Sequence, residues 1–266
     1  MSEADILNTN LFSVWLHRGD PLPEYSTFTH VPLLEQLEVR GDIENALIHK
    51  IFIYHNDPEE FREVLEKWGY SQTIAAINKR PSVDKTRKGN FGEILACEYL
   101  REIENYEVPV YRFRWNPNPD MSMRGEDALA FKFSDSDEEQ DIVCVVESKV
   151  QGTFNRTKVD EAIQDQLRDR RYVCSIKFVF SVLRKNGDSQ KADAVLEFLN
   201  ASSFKPHSRK DFFMLITGTN PQRDPFDRVR QLNLNQTELI AAHLFLSDLE
   251  QFISQLFKAD INVDFI

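Results

Sequence analysis

The chain has 266 residues, 41% of them hydrophobic and 28% charged, which is enough to bury a full core and ordinary for a globular protein. Its formal net charge of -11 excludes a protein that holds nucleic acid by its whole surface, because phosphate binding needs concentrated cationic side chains; any such grip must be local or shared with a partner. Three cysteines, Cys97, Cys144 and Cys174, are odd in number, far apart and set among apolar residues, so they read as buried thiols of a reducing compartment and exclude a disulfide or zinc-finger framework.

From the N-terminus, Met1 to Asn10 is acidic and polar, and no apolar run approaches bilayer length. The expectation is a cytoplasmic protein with neither signal peptide nor membrane span. Residues 1–80 combine a Pro-punctuated start (Pro21, Pro23, Pro32) with apolar stretches around Leu47 to Tyr54 and read as an α+β extension without chemical motifs. Within them, Pro58 to Trp68 predicts a helix, with Asp57 as N-cap and Pro58 at its first position. Lys79 to Lys88 is polar, basic and broken by Pro81, which places a boundary there and assigns residues 81–266 to a second unit.

The second unit opens on a helix over residues 90–104, with Phe91, Ile94, Leu95, Tyr99 and Leu100 on one apolar face. Strands are expected over Val108 to Trp115, Asp127 to Phe133 and Ile142 to Val150, the last nearly continuous in apolar residues as a central strand should be. The clustered charges of Ser134 to Asp141 mark a solvated loop. Beyond them the pattern predicts a helix over Thr157 to Arg171, a strand over Ile176 to Leu183, a helix over Ser189 to Leu199, a strand over Phe212 to Thr217 and a long amphipathic helix over Leu239 to Phe257. This order implies an α/β architecture, a mixed sheet flanked by helices.

The chemistry concentrates in Val145-Val146-Glu147-Ser148-Lys149. Two residues apart on a strand, Glu147 and Lys149 project from the same face, and burying such charges costs several kcal/mol unless a counter-ion, solvent or a function compensates. Asp127, at the start of the preceding strand, can lie beside Glu147 in an antiparallel pair, and Glu93, on the first turn of the preceding helix, can aim a third carboxylate at the same place. Oxygen donors of this kind suit Mg²⁺ or Mn²⁺, which bind through one or two carboxylates while keeping water and phosphate as their other ligands. The expected roles are Asp127, Glu147 and Glu93 as metal ligands and Lys149 as the residue that orients the attacking water, or as a base if its pKa is lowered. Alone, Glu-x-Lys is a weak signal, and its plain alternative is a salt pair at a strand end.

The ordered set is more specific: Gly92-Glu93 on a helix, Gly125-Glu126-Asp127 opening a strand, Glu147-x-Lys149 closing the next, then Gln166 on the following helix. It resembles the PD-(D/E)XK nuclease superfamily, which implies a restriction-endonuclease-like fold with Glu93, Asp127, Glu147 and Lys149 as the active site and Gln166 as an accessory, although the usual Gln-x-x-x-Tyr spacing is not kept. Lys88-Gly89-Asn90-Phe91-Gly92-Glu93, Arg112-Phe113-Arg114-Trp115, Gly125-Glu126-Asp127 and the Val145 to Val150 strand together are similar to the HamA family, the nuclease subunits of the Hachiman anti-phage system. That resemblance, from about Asp84 to the C-terminus, implies a defence deoxyribonuclease acting with a superfamily 2 DNA helicase of the HamB type, which would hold the DNA that so acidic a chain cannot.

Basic residues flank the expected site: Lys79, Arg80, Lys85, Arg87 and Lys88 before it, Arg168, Arg170 and Arg171 after Gln166. Such runs are usually solvated faces; here Lys88, Arg124 and Arg168, with help from Arg112 and Arg114, are candidate DNA-backbone contacts. Trp115 fits a core or interface better than a base stack. Ser148 has no Gly-x-Ser-x-Gly elbow, so only its backbone carbonyl is a candidate metal contact. The six histidines share no metal-ligand spacing, and without a P-loop the chain binds no ATP, so any motor is another polypeptide. Ordinary core packing explains most of the large apolar residues on the C-terminal stripe, and a surplus could dock a partner. The rival reading is an inactive nuclease-like module that binds DNA or restrains the helicase, and a third is a structural domain with chance motifs, in which Asp127 and Glu147 would lie far apart.

Overall fold

The computed structural model describes residues 10–20, 27–68, 77–123, 125–134, 140–168, 172–200, 207–229 and 238–261. Among the described residues it is an α/β structure built on one mixed sheet of six strands in the order β1-β2-β6-β5-β4-β3, flanked by eight helices. The strands are β1 (Leu16–Arg18), β2 (Phe28–Glu35), β3 (Ala128–Lys132), β4 (Asp141–Gln151), β5 (His207–Thr217) and β6 (Glu238–Phe245). The helices are α1 (Leu11–Val14), α2 (Arg40–His55), α3 (Pro58–Trp68), α4 (Asp84–Glu102), α5 (Arg156–Arg168), α6 (Tyr172–Lys185), α7 (Ser189–Glu197) and α8 (Leu249–Lys258). The pairs β2–β6, β6–β5 and β5–β4 are parallel, while β1–β2 and β3–β4 are antiparallel. β1 and β2, although early in the chain, are therefore strands of the same sheet that carries β4.

Strand alternation divides the core into two layers. On one face Ala130, Cys144, Val146, Phe212, Met214 and Ile216 pack against α2, α4 and α8, with Tyr99 of α4 stacked on Phe212 at a ring separation of 5.0 Å. On the other, Val143 and Val145 meet α6 and α7, and Phe213 and Leu215 meet Val159 and Ile163 of α5. β4 is thus covered on both sides, which is why its sequence is nearly continuous in apolar residues. Helix α3 keeps the predicted limits, and Asp57 caps it by accepting from the amides of Glu59 and Glu60.

Several expectations are corrected. Val108 to Trp115 is not a strand: only Glu107 bridges to Phe131, and Arg112–Trp115 forms a 3-10 turn that buries Phe113. Arg114 turns sideways there to donate to the Ile53 carbonyl and to Asp57, contacts that a paired strand would not allow. Ile176 to Leu183 lies in helix α6, where Ile176, Val179 and Leu183 form a buried helical face that the intervening Phe178 and Phe180 obscure in the sequence. Leu239 to Phe257 is a strand and a helix: the left-handed backbone of Asp248, φ 54°, separates them, and helical periodicity holds only from Leu249 onward. Cys174 is exposed, unlike Cys97 and Cys144. Among the described residues, no helix is long and apolar enough to cross a membrane.

Candidate active site

The C-terminal half of β4 delivers the Glu-x-Lys pair. Glu147 and Lys149 continue the face of Val143 and Val145, and because Ala128 pairs with Val146, Asp127 falls opposite Glu147 at the mouth of the β3–β4 ladder. The antiparallel neighbourhood expected from sequence is therefore present. Gly125, at φ 104°, makes the turn that brings Asp127 there, a backbone conformation that suits glycine. Glu126 is drawn away toward the Ser175 hydroxyl of α6.

Asp127 is anchored by a residue whose part the sequence did not show. Its Oδ2 accepts from the Ser148 amide at 2.8 Å and from the Ser148 hydroxyl at 2.9 Å. Arg112 donates to the Asp127 carbonyl at 2.7 Å and to the Glu126 carbonyl, so this arginine fixes the turn's backbone instead of standing in a surface rim. Ser148 points to the opposite face from Glu147, and there α4 crosses β4 at Gly92: a Cβ at this position would lie 2.8 Å from Val150 Cγ2 and 2.9 Å from Ser148 Oγ. Mid-helix Gly92 is the sequence signal for this close approach. Helix α4 begins at Asp84, so Glu93 sits in its third turn and not its first.

Electrostatics tie the acidic groups together. Burial first, then the negative charge of Asp127, holds the Glu93 carboxyl well above the usual range. The same two causes push Glu147 up to about 7. Burial also raises Asp127, against the pull of Arg112 and the Ser148 hydrogen bonds. Lys149 Nζ donates to Glu147 Oε1 at 2.9 Å; burial works against its charge, but Glu147 and Asp127 outweigh it and raise its pKa. Lys149 is thus held as a cation by its acidic neighbours.

Asp127, Glu147, Lys149 and Gln166 line one open cavity of about 940 Å³; Glu93 is not among the described residues that line it. Gln166 is buried, and its Nε2 donates to the carbonyls of Val145 at 3.0 Å and Phe212 at 3.2 Å, leaving Oε1 without a partner. Lys88, half-exposed, is paired with Glu250. Arg124 lies outside the described residues, as do Arg170, Arg171 and the side chain of Arg168.

The donor set fits a hard divalent cation. Among the described residues no group of three or more His, Cys, Asp or Glu side chains is placed to hold a metal ion, so a cation here would rest on one or two carboxylates with water as its other ligands, as Mg²⁺ does. Hydrogen bonds fall on Asp127 Oδ2 and Glu147 Oε1, while Glu93 Oε2 is buried without a partner. Burial raises the proton affinity of all three carboxyl groups, and repulsion from Asp127 adds to it at Glu93 and Glu147, so a nearby positive charge would favour their ionised forms.

The fold and this cluster define an α/β protein with a carboxylate–ammonium centre at the end of the β3–β4 pair, at one side of a mixed sheet. Residues 11–266 match the family model HamA, and the chain belongs to the HamA family. It is also similar to the Hachiman protein HamA of Bacillus cereus, with 30% identity over 158 residues, 59% of this chain and 55% of that protein. The match therefore spans little more than half of that relative's length.

Proposed function

We propose that this chain is the nuclease subunit of a Hachiman-type anti-phage defence complex: a cytoplasmic Mg²⁺- or Mn²⁺-dependent deoxyribonuclease that hydrolyses phosphodiester bonds alongside a superfamily 2 helicase. The observation that carries the reading is that Asp127 and Glu147 stand opposite each other at the end of the β3–β4 ladder on one cavity, with Lys149 paired to Glu147 and the buried Glu93 electrostatically linked to both acids. In it, Asp127 and Glu147 hold the cation, with Glu93 completing or backing the site. The bound ion supplies a polarised scissile phosphate and an activated water. Ser148 keeps Asp127 in position, Glu147 keeps Lys149 in position, and the Lys149 ammonium orients the nucleophile and offsets charge on the phosphate. A strongly acidic chain needs another protein for most of its grip on DNA, which is the helicase's part. An inert scaffold would gain nothing from the buried, partnerless Glu93 oxygen, which costs stability with no return.

The test is cleavage of labelled DNA by the purified chain, alone and with its helicase. Activity is expected with Mg²⁺ or Mn²⁺, none in EDTA, and a loss on the order of 100-fold or more for Glu147→Ala and for Lys149→Ala. Undiminished cleavage by either variant overturns the assignment.

A further inference from the structure

The acidic chain holds a small cationic surface at the cavity itself, and the structure separates its free members from those already spent. Lys79 donates to the Arg114 carbonyl at 3.1 Å and Arg80 to the Ala259 carbonyl at 2.9 Å. Arg87 donates to the Pro81 carbonyl and Asp84, and Lys88 pairs with Glu250. Arg112 clamps the Asp127 carbonyl, and Arg209, although on the cavity wall, is held by Asp211 at 2.7 Å. These cations are structural. Lys85 and Lys158 differ: both are exposed, both line the cavity that contains Asp127, Glu147 and Lys149, and among the described residues neither ammonium has a hydrogen-bond or ion-pair partner.

Their positions are complementary. Lys85 stands in the first turn of α4, in the layer below β4, and Lys158 in the first turn of α5, in the layer above. Each helical layer thus contributes one uncommitted ammonium to the cavity into which Glu147 opens from between them. Glu161 and Asp165 follow on the same wall of α5, deeper along the helix, so Lys158 is the cation of that wall nearest the Thr153–Asn155 rim. Phosphate oxygens are the ligands for such a pair, since an extended polyanion crossing the cavity meets one cation on each side of the acidic centre.

We propose that Lys85 and Lys158 are the backbone contacts of this site, gripping the phosphates that flank the scissile one. The inference rests on the nuclease reading for the identity of its ligand. It also revises the expected DNA contacts: Lys88 holds Glu250 and is no part of the grip.

The experiment is fluorescence anisotropy with the full chain, in EDTA so that nothing is cut, using a fluorescein-labelled DNA strand and the matching duplex between about 50 and about 200 mM salt. Lys85→Gln and Lys158→Gln should each weaken binding and lower the slope of log K against log salt by about one. Lys85→Arg and Lys158→Arg should restore both, and Lys88→Gln should leave both unchanged. Because both lysines are exposed, thermal melts should match the parent and exclude misfolding as the cause. Unaltered slopes in the Gln variants, or a wild-type chain that binds no DNA at the lowest salt, overturn the proposal. Cleavage assays on the same preparations separate the two ideas. Metal-dependent, Glu147-dependent cutting with unaltered slopes sinks the lysine pair alone, whereas reduced slopes without any cutting leave a DNA-binding cavity and sink the nuclease reading.

Discussion

Glu147 shows what burial does to a functional carboxyl. Its pKa of about 7 in the folded protein lies above the 4.5 of the free side chain, so the unfolded chain ionises first. Its contribution to stability is therefore full below about pH 4.5 and is lost as pH rises through about 7, the reverse of a salt-bridged acid. Glu93 and Asp127 shift in the same direction. His55 and His243, whose pKa values burial lowers to about 4, act oppositely over part of that range, so the informative quantity is a difference at matched pH. In EDTA, the melting temperature of Glu147→Gln minus that of the parent should grow between about pH 5 and about pH 8. A difference that stays flat or shrinks contradicts this description of the site.

Among the elements, α4 bears the most, since it carries Gly92 and Glu93 on the side of β4 and a buried ionic network on the side of α2. Lys50 and Glu98 are both fully buried and paired; Lys50 is also 3.7 Å from Glu102, while Tyr54 and Arg101 donate to Glu98 at 2.6 and 3.0 Å. Lys50→Met leaves Glu98 short of its main counter-charge and should cost about 3 kcal/mol in chemical denaturation, whereas replacing Lys50 and Glu98 together with Met and Leu should recover most of it. An unchanged midpoint for Lys50→Met shows the network to be energetically idle. What the sequence revealed follows the same logic of local against distant causes. Strand β4, helix α3 and the Asp127–Glu147 neighbourhood were legible because apolar runs, caps and spacing are local signals. Helix α6 and the β6–α8 break were not, since crowded apolar residues satisfy both periods and only the partner surface decides between them. The parts played by Ser148 and Arg112 stayed hidden because their hydrogen bonds depend on where Asp127 is placed in space.

For the whole molecule, the sheet order matters more than the division of the chain. β2 pairs in parallel with β6 across some two hundred residues, so the early strands complete the sheet whose other half presents the candidate site. Nothing local in Phe28–Glu35 foretells that pairing, and its Pro32 even argues for an edge, yet β2 lies between β1 and β6. The surplus of acid over base across the chain leaves Lys85, Lys149 and Lys158 as local exceptions gathered around one cavity. Nuclease chemistry at this cavity requires that Asp127 and Glu147 grip an ion. Titration of the chain with Mn²⁺, followed by the loss of the free-ion electron paramagnetic resonance signal, reads this directly. One ion bound per chain, with binding abolished or strongly weakened by Asp127→Asn and by Glu147→Gln, is the predicted result. A parent chain that binds no Mn²⁺ at about millimolar concentration, or variants that bind it equally well, would contradict it.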